Sequence, residues 1–450
     1  MIKIISFLIV FLAVVFNIIA ITRLNQNSSG IIDRVENSGT APQQHKEIQK
    51  NNLPNEEINN VPVPPDNDKA NNNTKRDDET SNLPHPHAGA RFPNGTLGLV
   101  IDPSTKLLIK QKMPHREKSC KVDDAIDKVA FEVFKRIRTG VIKSKTEIEK
   151  KNDLRKSTAS ASTTRTGTRT PRILCMVYTH SGAHSRVQAI VNSWGKECDG
   201  FFAASNATDL SIGAINLLHR GPEAYGNMWQ KIRSMWAYAH DNFLHDYDYF
   251  HIAGDDAYVV VDNMKAYLQG EQIKRLLNGY IDNISRVSYE QAKRWENLEK
   301  DQQRPLLLGV PLKIRNSLFP QGGGGYTLNR EAVRLIGVEG GPLDTILADS
   351  EDPREDVFIS SLLSEIGTFV SDTRDDTGAF RYIPYRPYDR ARGMAKYPTK
   401  YNMPFRNGMD LFSKETVALH LKNMDKKTTM DEVIYSTYDI LSGKCDAAIF

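Results

Sequence analysis

The 450-residue chain is longer than one ordinary domain needs, and its 40% hydrophobic, 25% charged and 8% aromatic residues exclude both a wholly disordered chain and a polytopic membrane protein. Fifty-nine Lys and Arg against 55 Asp and Glu leave a formal net charge of +4, too small a surplus to point to nucleic acid as a partner. Four cysteines, with no CxxC or CxxC…HxxxH spacing, exclude a disulfide-dense scaffold and structural zinc.

The N-terminus reads as a membrane segment. Ile4 to Ile21 is apolar apart from Ser6 and Asn17, and is flanked by Lys3 and Arg23. As a helix it spans roughly 27 Å, enough for a hydrocarbon core. The run is longer than a usual signal-peptide core and no A-x-A site follows, so an uncleaved anchor over residues 1–23 is preferred to a cleaved signal peptide. Residues 24–87 are rich in Asn, Pro and charge, with no aromatic residue between Phe16 and Phe92; they read as a disordered stem. Residues 88–170 form an extension containing an amphipathic helix (Val122 to Ile148) and a Ser/Thr tract (Ser157 to Thr170). Sequons at Asn27, Asn72, Asn94, Asn206 and Asn283 agree with a secretory-side location.

From Pro171 to the C-terminus the sequence reads as one globular domain. Ile173 to Tyr178 is a buried strand. Val187, Ile190, Val191 and Trp194 recur at helical spacing, and Trp229, Ile232, Trp236, Ala239 and Phe243 line a second helix as core residues. Tyr249 to Ala253 is a strand running into Gly254-Asp255-Asp256. Alternating strands and helices predict an α/β fold with a largely parallel sheet. Acids at the C-terminal end of such a strand face the crevice where open sheets bind ligands, and hard carboxylate oxygens suit Mg²⁺ or Mn²⁺ on a diphosphate.

These segments resemble the GT31-type β1,3-glycosyltransferases, closest to the core 1 β1,3-galactosyltransferase branch, over about residues 171 to 440. The resemblance is carried by Ile173-Leu174-Cys175-x-Val177-x-Thr179, Ser193-Trp194, Trp229-x-Lys231, and Tyr249-Phe250-x-x-Ala253-Gly254-Asp255-Asp256-Ala257-Tyr258-Val259. It continues through Gly322-Gly323-Gly324-Gly325-Tyr326-Thr327-Leu328, Glu355-Asp356-Val357, Asp372-x-Arg374-Asp375 and Val417-Ala418-Leu419-His420. It implies a GT-A fold, with a nucleotide-sugar half around parallel strands and an acceptor half closing over it. It also implies a Mn²⁺ at Asp256 and His420, and Asp356 as the base for transfer with inversion. Asp-x-Asp calls for acid at both ends, but its first position is Gly254; Asp255 is the partial substitute.

UDP-sugar contacts are expected from Thr179, Arg186, Lys231, Asp255, Gly324 and Tyr326, although Arg186 and Lys231 taken in isolation read better as surface charges. The four glycines either let the backbone approach a sugar ring or form a simple turn. The resemblance pairs Cys175 with Cys198; Cys120 and Cys445 either pair or stay free. The activity implied is galactose transfer from UDP-galactose to the 3-hydroxyl of GalNAc on Ser or Thr, at a Golgi or ER membrane with the domain lumenal. The partners implied are a UDP-sugar donor, a glycoprotein or glycan acceptor, the membrane, and a homodimer. Two alternatives stay open: a non-catalytic chaperone-like homologue, and a β1,3-GlcNAc transferase of the same fold.

Overall fold

The computed structural model describes residues 128–159, 169–282, 284, 289–299, 302–314, 317–384, 387, 408–422 and 428–445. The apolar run Ile4 to Ile21, the stem, Cys120, Asn94 and Asn283 lie outside them. Among the described residues no helix is long and apolar enough to cross a membrane.

The run ILCMVY forms β1 (Ile173–Tyr178), the strand on which the domain is built. Ile173, Cys175 and Val177 face one apolar layer, Leu174 and Met176 the other. This is the period-two alternation of a strand covered on both faces. The other strands of its sheet are β2 (Gly200–Ser205), β3 (Ala214–Asn216), β4 (Tyr249–Gly254), β6 (Leu307–Leu308), β9 (Tyr326–Asn329) and β10 (Val370–Ser371). Among the described residues their order is β10-β6-β9-β4-β1-β2-β3. β3, β2, β1 and β4 run parallel, β9 pairs antiparallel with β4 and β6, and β6 pairs parallel with β10. A mixed, mostly parallel sheet between helices is the architecture that the strand-helix alternation predicts. A smaller sheet joins β5 (Ala257–Val259), β11 (Tyr382–Ile383) and β12 (Ala418–His420), and β7 (Pro311–Ile314) pairs with β8 (Ser317–Pro320).

The helices close both faces. α1 (Lys128–Ala159) buries Phe131, Phe134, Ile137 and Val141 in the layer shared with Ile173 and Val177. The helix of the N-terminal extension thus shares the core of the strands after Pro171, and it continues past the predicted Ile148 to Ala159; residues 122–127 lie outside the described residues. Ser144 Oγ donates to Asn263 Oδ1 (2.9 Å), whose amide nitrogen donates to Thr416 O (2.9 Å), so α1 braces the segment leading into β12. α2 (His184–Asn192) follows β1, and a Cys175–Cys198 disulfide joins β1 to the segment entering β2. Cys445 is also disulfide-bonded. On the other face α3 (Met228–Phe243) buries Trp229, Ile232, Met235, Trp236 and Ala239 as one stripe, each large side chain contributing on the order of 1.5–3 kcal/mol. α4 (Val261–Leu268), α5 (Arg330–Gly337), α6 (Glu355–Glu365) and α7 (Met430–Leu441) complete the layers.

Candidate active site

β4 leaves the large sheet at Gly254, turns through Asp255 and Asp256, and re-enters the small sheet as β5. β12 pairs antiparallel with β5, with His420 opposite Ala257, and Leu421 N–H donates to Asp256 O (2.9 Å). This register carries His420 across 164 positions to Asp256, its Nε2 3.1 Å from Asp256 Oδ2. Burial alone would raise the Asp256 carboxyl, but the His420 hydrogen bond and charge, with Arg186, hold it below the ordinary aspartate value.

The donor set suits a divalent cation. His420 Nδ1 lies 2.9 Å from Pro384 O. A carbonyl only accepts, so Nδ1 donates to it, and Nε2 is the ring nitrogen turned toward a carboxylate oxygen. Two such atoms so close are bridged by a proton or a cation, and a histidine whose other N–H is spent on a carbonyl has the usual outer partner of a metal ligand. Among the described residues no group of three or more His, Cys, Asp or Glu side chains is arranged to hold a metal. Two protein ligands are what a Mg²⁺- or Mn²⁺-type site offers when phosphates and water complete the shell.

Gly254 stands where Asp-x-Asp would begin. A Cβ there would lie 2.9 Å from Asp256 Oδ1 and 3.1 Å from Tyr178 Oη. The first carboxylate of the pattern has no room while Asp256 and Tyr178 keep these positions. Asp255 turns the other way: Thr179 Oγ1 donates to its Oδ2 (2.7 Å) and Arg186 Nη1 to its Oδ1 (3.0 Å). Burial outweighs both partners and raises its carboxyl. Lys231, buried on α3, donates to Thr179 O and pairs with Glu223, which also bonds His219 Nε2 (2.8 Å). Thr179, Arg186, Asp255 and Lys231 therefore form one chain of polar contacts; Glu223 belongs to it too, but lies in a polar loop with no spacing to mark it.

The opposite wall is the first turn of α6. Asp356 Oδ2 accepts from Gly322 N–H (2.9 Å) and Oδ1 from Val357 N–H (2.8 Å), as acids do at helix N-termini. Burial raises its carboxyl despite these donors. Glu355 is deeper, and burial followed by the Asp356 charge pushes it well above the ordinary glutamate value. Tyr326, also fully buried, donates its hydroxyl to Glu355 Oε2 (2.8 Å), so its influence on the site passes through that carboxylate.

The glycine run is the seam between the walls. A Cβ at Gly322 would lie 2.6 Å from Glu355 Oε1, at Gly323 2.4 Å from His420 Nδ1, and at Gly324 3.0 Å from Ile383 O. Gly325 adopts φ +70°, a left-handed conformation that favours glycine. The absent side chains let α6, β11 and β12 approach one turn.

Two features had no sequence signal. Tyr178 ends β1 among the acids: burial first, then Glu355, Asp256, Asp356 and Asp255, push its phenol far up. The N-terminus of α3 fixes the loop before α6. Trp229 Nε1 donates to Leu347 O (2.8 Å), Gln230 Nε2 to Ala348 O (2.9 Å) and Ser350 O (2.7 Å), and Trp229 N–H to Asp352 O (2.9 Å). Trp229 and Trp236 are core residues, as their spacing predicts. Asn206 is exposed beyond β2, its Oδ1 accepting from Ser181 N–H (2.8 Å).

No protein-family model matches the chain. The match to one curated relative spans about half that relative's length. That relative, 26% identical over 219 residues that cover 48% of this chain and 51% of its own, is glycoprotein-N-acetylgalactosamine 3-beta-galactosyltransferase 1 of Xenopus laevis, and it is to this galactosyltransferase that the present chain is similar.

Proposed function

We propose that the chain is a metal-dependent, inverting glycosyltransferase that moves galactose from UDP-galactose, in β1,3 linkage, to GalNAc on Ser or Thr of a glycoprotein or to a closely related acceptor. The observation that carries the reading is the convergence of Asp256 and His420 at the exit of the parallel strands, separated by the glycine seam from the Asp356 carboxylate held by two backbone N–H groups. The similarity to the Xenopus laevis galactosyltransferase supports the sugar and the acceptor class.

Asp256 and His420 would hold the cation, Mn²⁺ by the chemistry of a mixed carboxylate and imidazole pair. Its contribution when bound is Lewis-acid neutralisation of the charge that develops on UDP. The chain's own residues do the rest. Arg186, bonded to Asp255, and Lys231, bonded to Thr179 O and Glu223, would be the cations offered to an entering diphosphate. Asp356, held by Gly322 and Val357 N–H, accepts the proton of the acceptor hydroxyl as its oxygen bonds to the anomeric carbon and the bond from that carbon to UDP breaks. A carboxyl already raised by burial is a stronger base than an exposed one. The Cys175–Cys198 disulfide supports an oxidising, secretory compartment for the reaction, as an anchored Golgi or ER enzyme would occupy.

Gly254 favours one competing reading, a non-catalytic homologue that binds its client without turnover. The deciding experiment measures UDP release from UDP-galactose with a GalNAc-peptide, with and without Mn²⁺. Metal-dependent release is expected. Absence of turnover under both conditions, with binding of an unfolded client, overturns the enzyme reading. A donor screen including UDP-GlcNAc decides the sugar.

A further inference from the structure

The turn Tyr225–Asn227 before α3 is tied to both walls of the site, yet its aromatic side chain is largely exposed. On one flank Glu223 pairs with Lys231, which reaches Thr179 and through it Asp255. On the other, Asn227 Nδ2 donates to Arg220 O (2.6 Å) and Pro222 O (3.0 Å), and Arg220 pairs with Asp349. Gly221, at φ +75°, packs so closely on this loop that a Cβ would lie 2.7 Å from Asn227 Nδ2 and from Glu351 Oε1. Residues 349–352 run directly into the turn that bears Glu355 and Asp356. The backbone on either side of Tyr225 is thus fixed relative to the Asp255 wall and the Asp356 wall alike.

The side chain itself is 77% exposed, the largest exposure of any large apolar side chain among the described residues. The neighbouring Gly226 has no atom within 4 Å of where its Cβ would stand, so the turn is open at its next position as well. Exposed though it is, Tyr225 belongs to the acids. Partial desolvation first, and then the carboxylates of Asp356, Glu355 and Asp256 in that order, push its phenol above the ordinary tyrosine value. An aromatic ring carried on a fixed turn beside a carboxylate site, and bare to water, costs free energy that a ligand can recover.

A pyranose matches this arrangement. One face of the sugar is a set of C–H groups with positive partial charge, complementary to the negative face of an aromatic ring, while its rim hydroxyls reach carboxylates. The Arg220–Asp349 pair and the bond from Trp229 N–H to Asp352 O (2.9 Å) join this turn to the segment that runs into Asp356, the base side of the site. We propose that Tyr225 is the positioning platform for the acceptor sugar, lying against its C–H face and presenting one hydroxyl to Asp356. This assignment rests on the glycosyltransferase reading above and adds to it the group that orients the acceptor.

The test combines kinetics and binding on the full chain, with UDP-galactose, Mn²⁺ and a GalNAc-peptide as probes. Tyr225→Ala is expected to raise the acceptor KM, and the Kd for the GalNAc-peptide, by about tenfold, the scale of one lost aromatic contact. The KM for UDP-galactose and the kcat at saturating acceptor are expected to stay near wild type. Tyr225→Phe and Tyr225→Trp are expected to restore the acceptor KM, because the ring and not the hydroxyl does the positioning. An unchanged acceptor KM and Kd in Tyr225→Ala, a rise in the UDP-galactose KM instead, or a Phe variant as impaired as the Ala variant overturns the proposal. Should wild type bind the peptide without turnover while Tyr225→Ala weakens that binding, the platform stands and the transferase reading falls. Should wild type neither bind nor turn over the peptide, both fall.

Discussion

The two walls of the site use the same residue types to opposite electrostatic ends. At the exit of β4, Asp256 faces His420 with Arg186 near, and its carboxyl is held low in spite of burial. At the first turn of α6, buried Glu355 and half-buried Asp356 accept from neutral donors, a tyrosine hydroxyl and two backbone N–H groups, and both carboxyls are pushed up although Arg354 draws Asp356 down. Asp255 lies between these extremes, partnered by Arg186 and Thr179 but raised by its burial. Environments that drive carboxyl groups apart in this way mark which stays ionised and which exchanges a proton. The lesson is that the neighbours, rather than the acids themselves, divide the labour.

Removing one wall at a time tests that division most severely. Asp356→Asn is expected to lower transfer by about 10² to 10⁴, the usual cost of a lost general base, while UDP binding in the presence of Mn²⁺ stays near wild type. Asp256→Ala is expected to lower turnover by orders of magnitude as well, but together with Mn²⁺-dependent UDP binding. Calorimetric UDP titrations of both variants separate the cases. If both lose UDP binding equally, the two walls are one structural unit and the contrast drawn here is wrong.

How much of this was legible in the sequence depends on how local the signal is. β1 and the stripe of α3 were readable because apolar period and burial are written in consecutive residues. The Asp255–Asp256 turn was readable because an apolar strand runs straight into it. The meeting of Asp256 with His420 was not, except through resemblance. It is made by an antiparallel register between strands of three residues each, which no local pattern encodes. The same holds for α1: its apolar face of Phe131, Phe134 and Ile137 was visible, but the layer that receives it lies far along the chain. The glycine run was ambiguous for a different reason. Its information is the absence of side chains, and only the neighbours at His420, Glu355 and Ile383 reveal what that absence admits.

Those neighbours make Gly323 a position from which the His420 wall can be perturbed alone. Its backbone is outside the left-handed region, so alanine meets no conformational objection; the conflict is purely one of space. A methyl group there would lie 2.4 Å from His420 Nδ1 and 2.8 Å from Pro384 O, inside the hydrogen bond that orients the ring. Gly323→Ala is expected to raise the Mn²⁺ concentration needed for half-maximal activity by about 10- to 100-fold, as loss of an outer partner to a metal ligand commonly does. Turnover should recover at excess metal, since Asp356 belongs to the other wall. An unchanged Mn²⁺ requirement would show that Pro384 does not set the orientation of the imidazole.

The smallest expected effect concerns stability and isolates the second wall alone. Glu355 is buried without a cation, and its carboxyl stands well above the reference value of 4.5. Below that value the carboxyl is neutral in both folded and unfolded chains, and its contribution to stability is full. As pH rises above 4.5 the unfolded chain ionises first. Folding must then either keep a proton on Glu355 or bury a second negative charge beside Asp356, so stability is lost progressively until the folded carboxyl has titrated. Glu355→Gln removes this titration but keeps an oxygen to accept from Tyr326 Oη. The wild-type melting temperature should therefore fall with rising pH more steeply than that of the variant, the gap widening from acid toward alkaline pH. Because Asp356 is raised in the same direction, the variant should retain part of the slope. Parallel melting curves across this range would mean that Glu355 is compensated where it stands, and the second wall would lose the property that distinguishes it from the first.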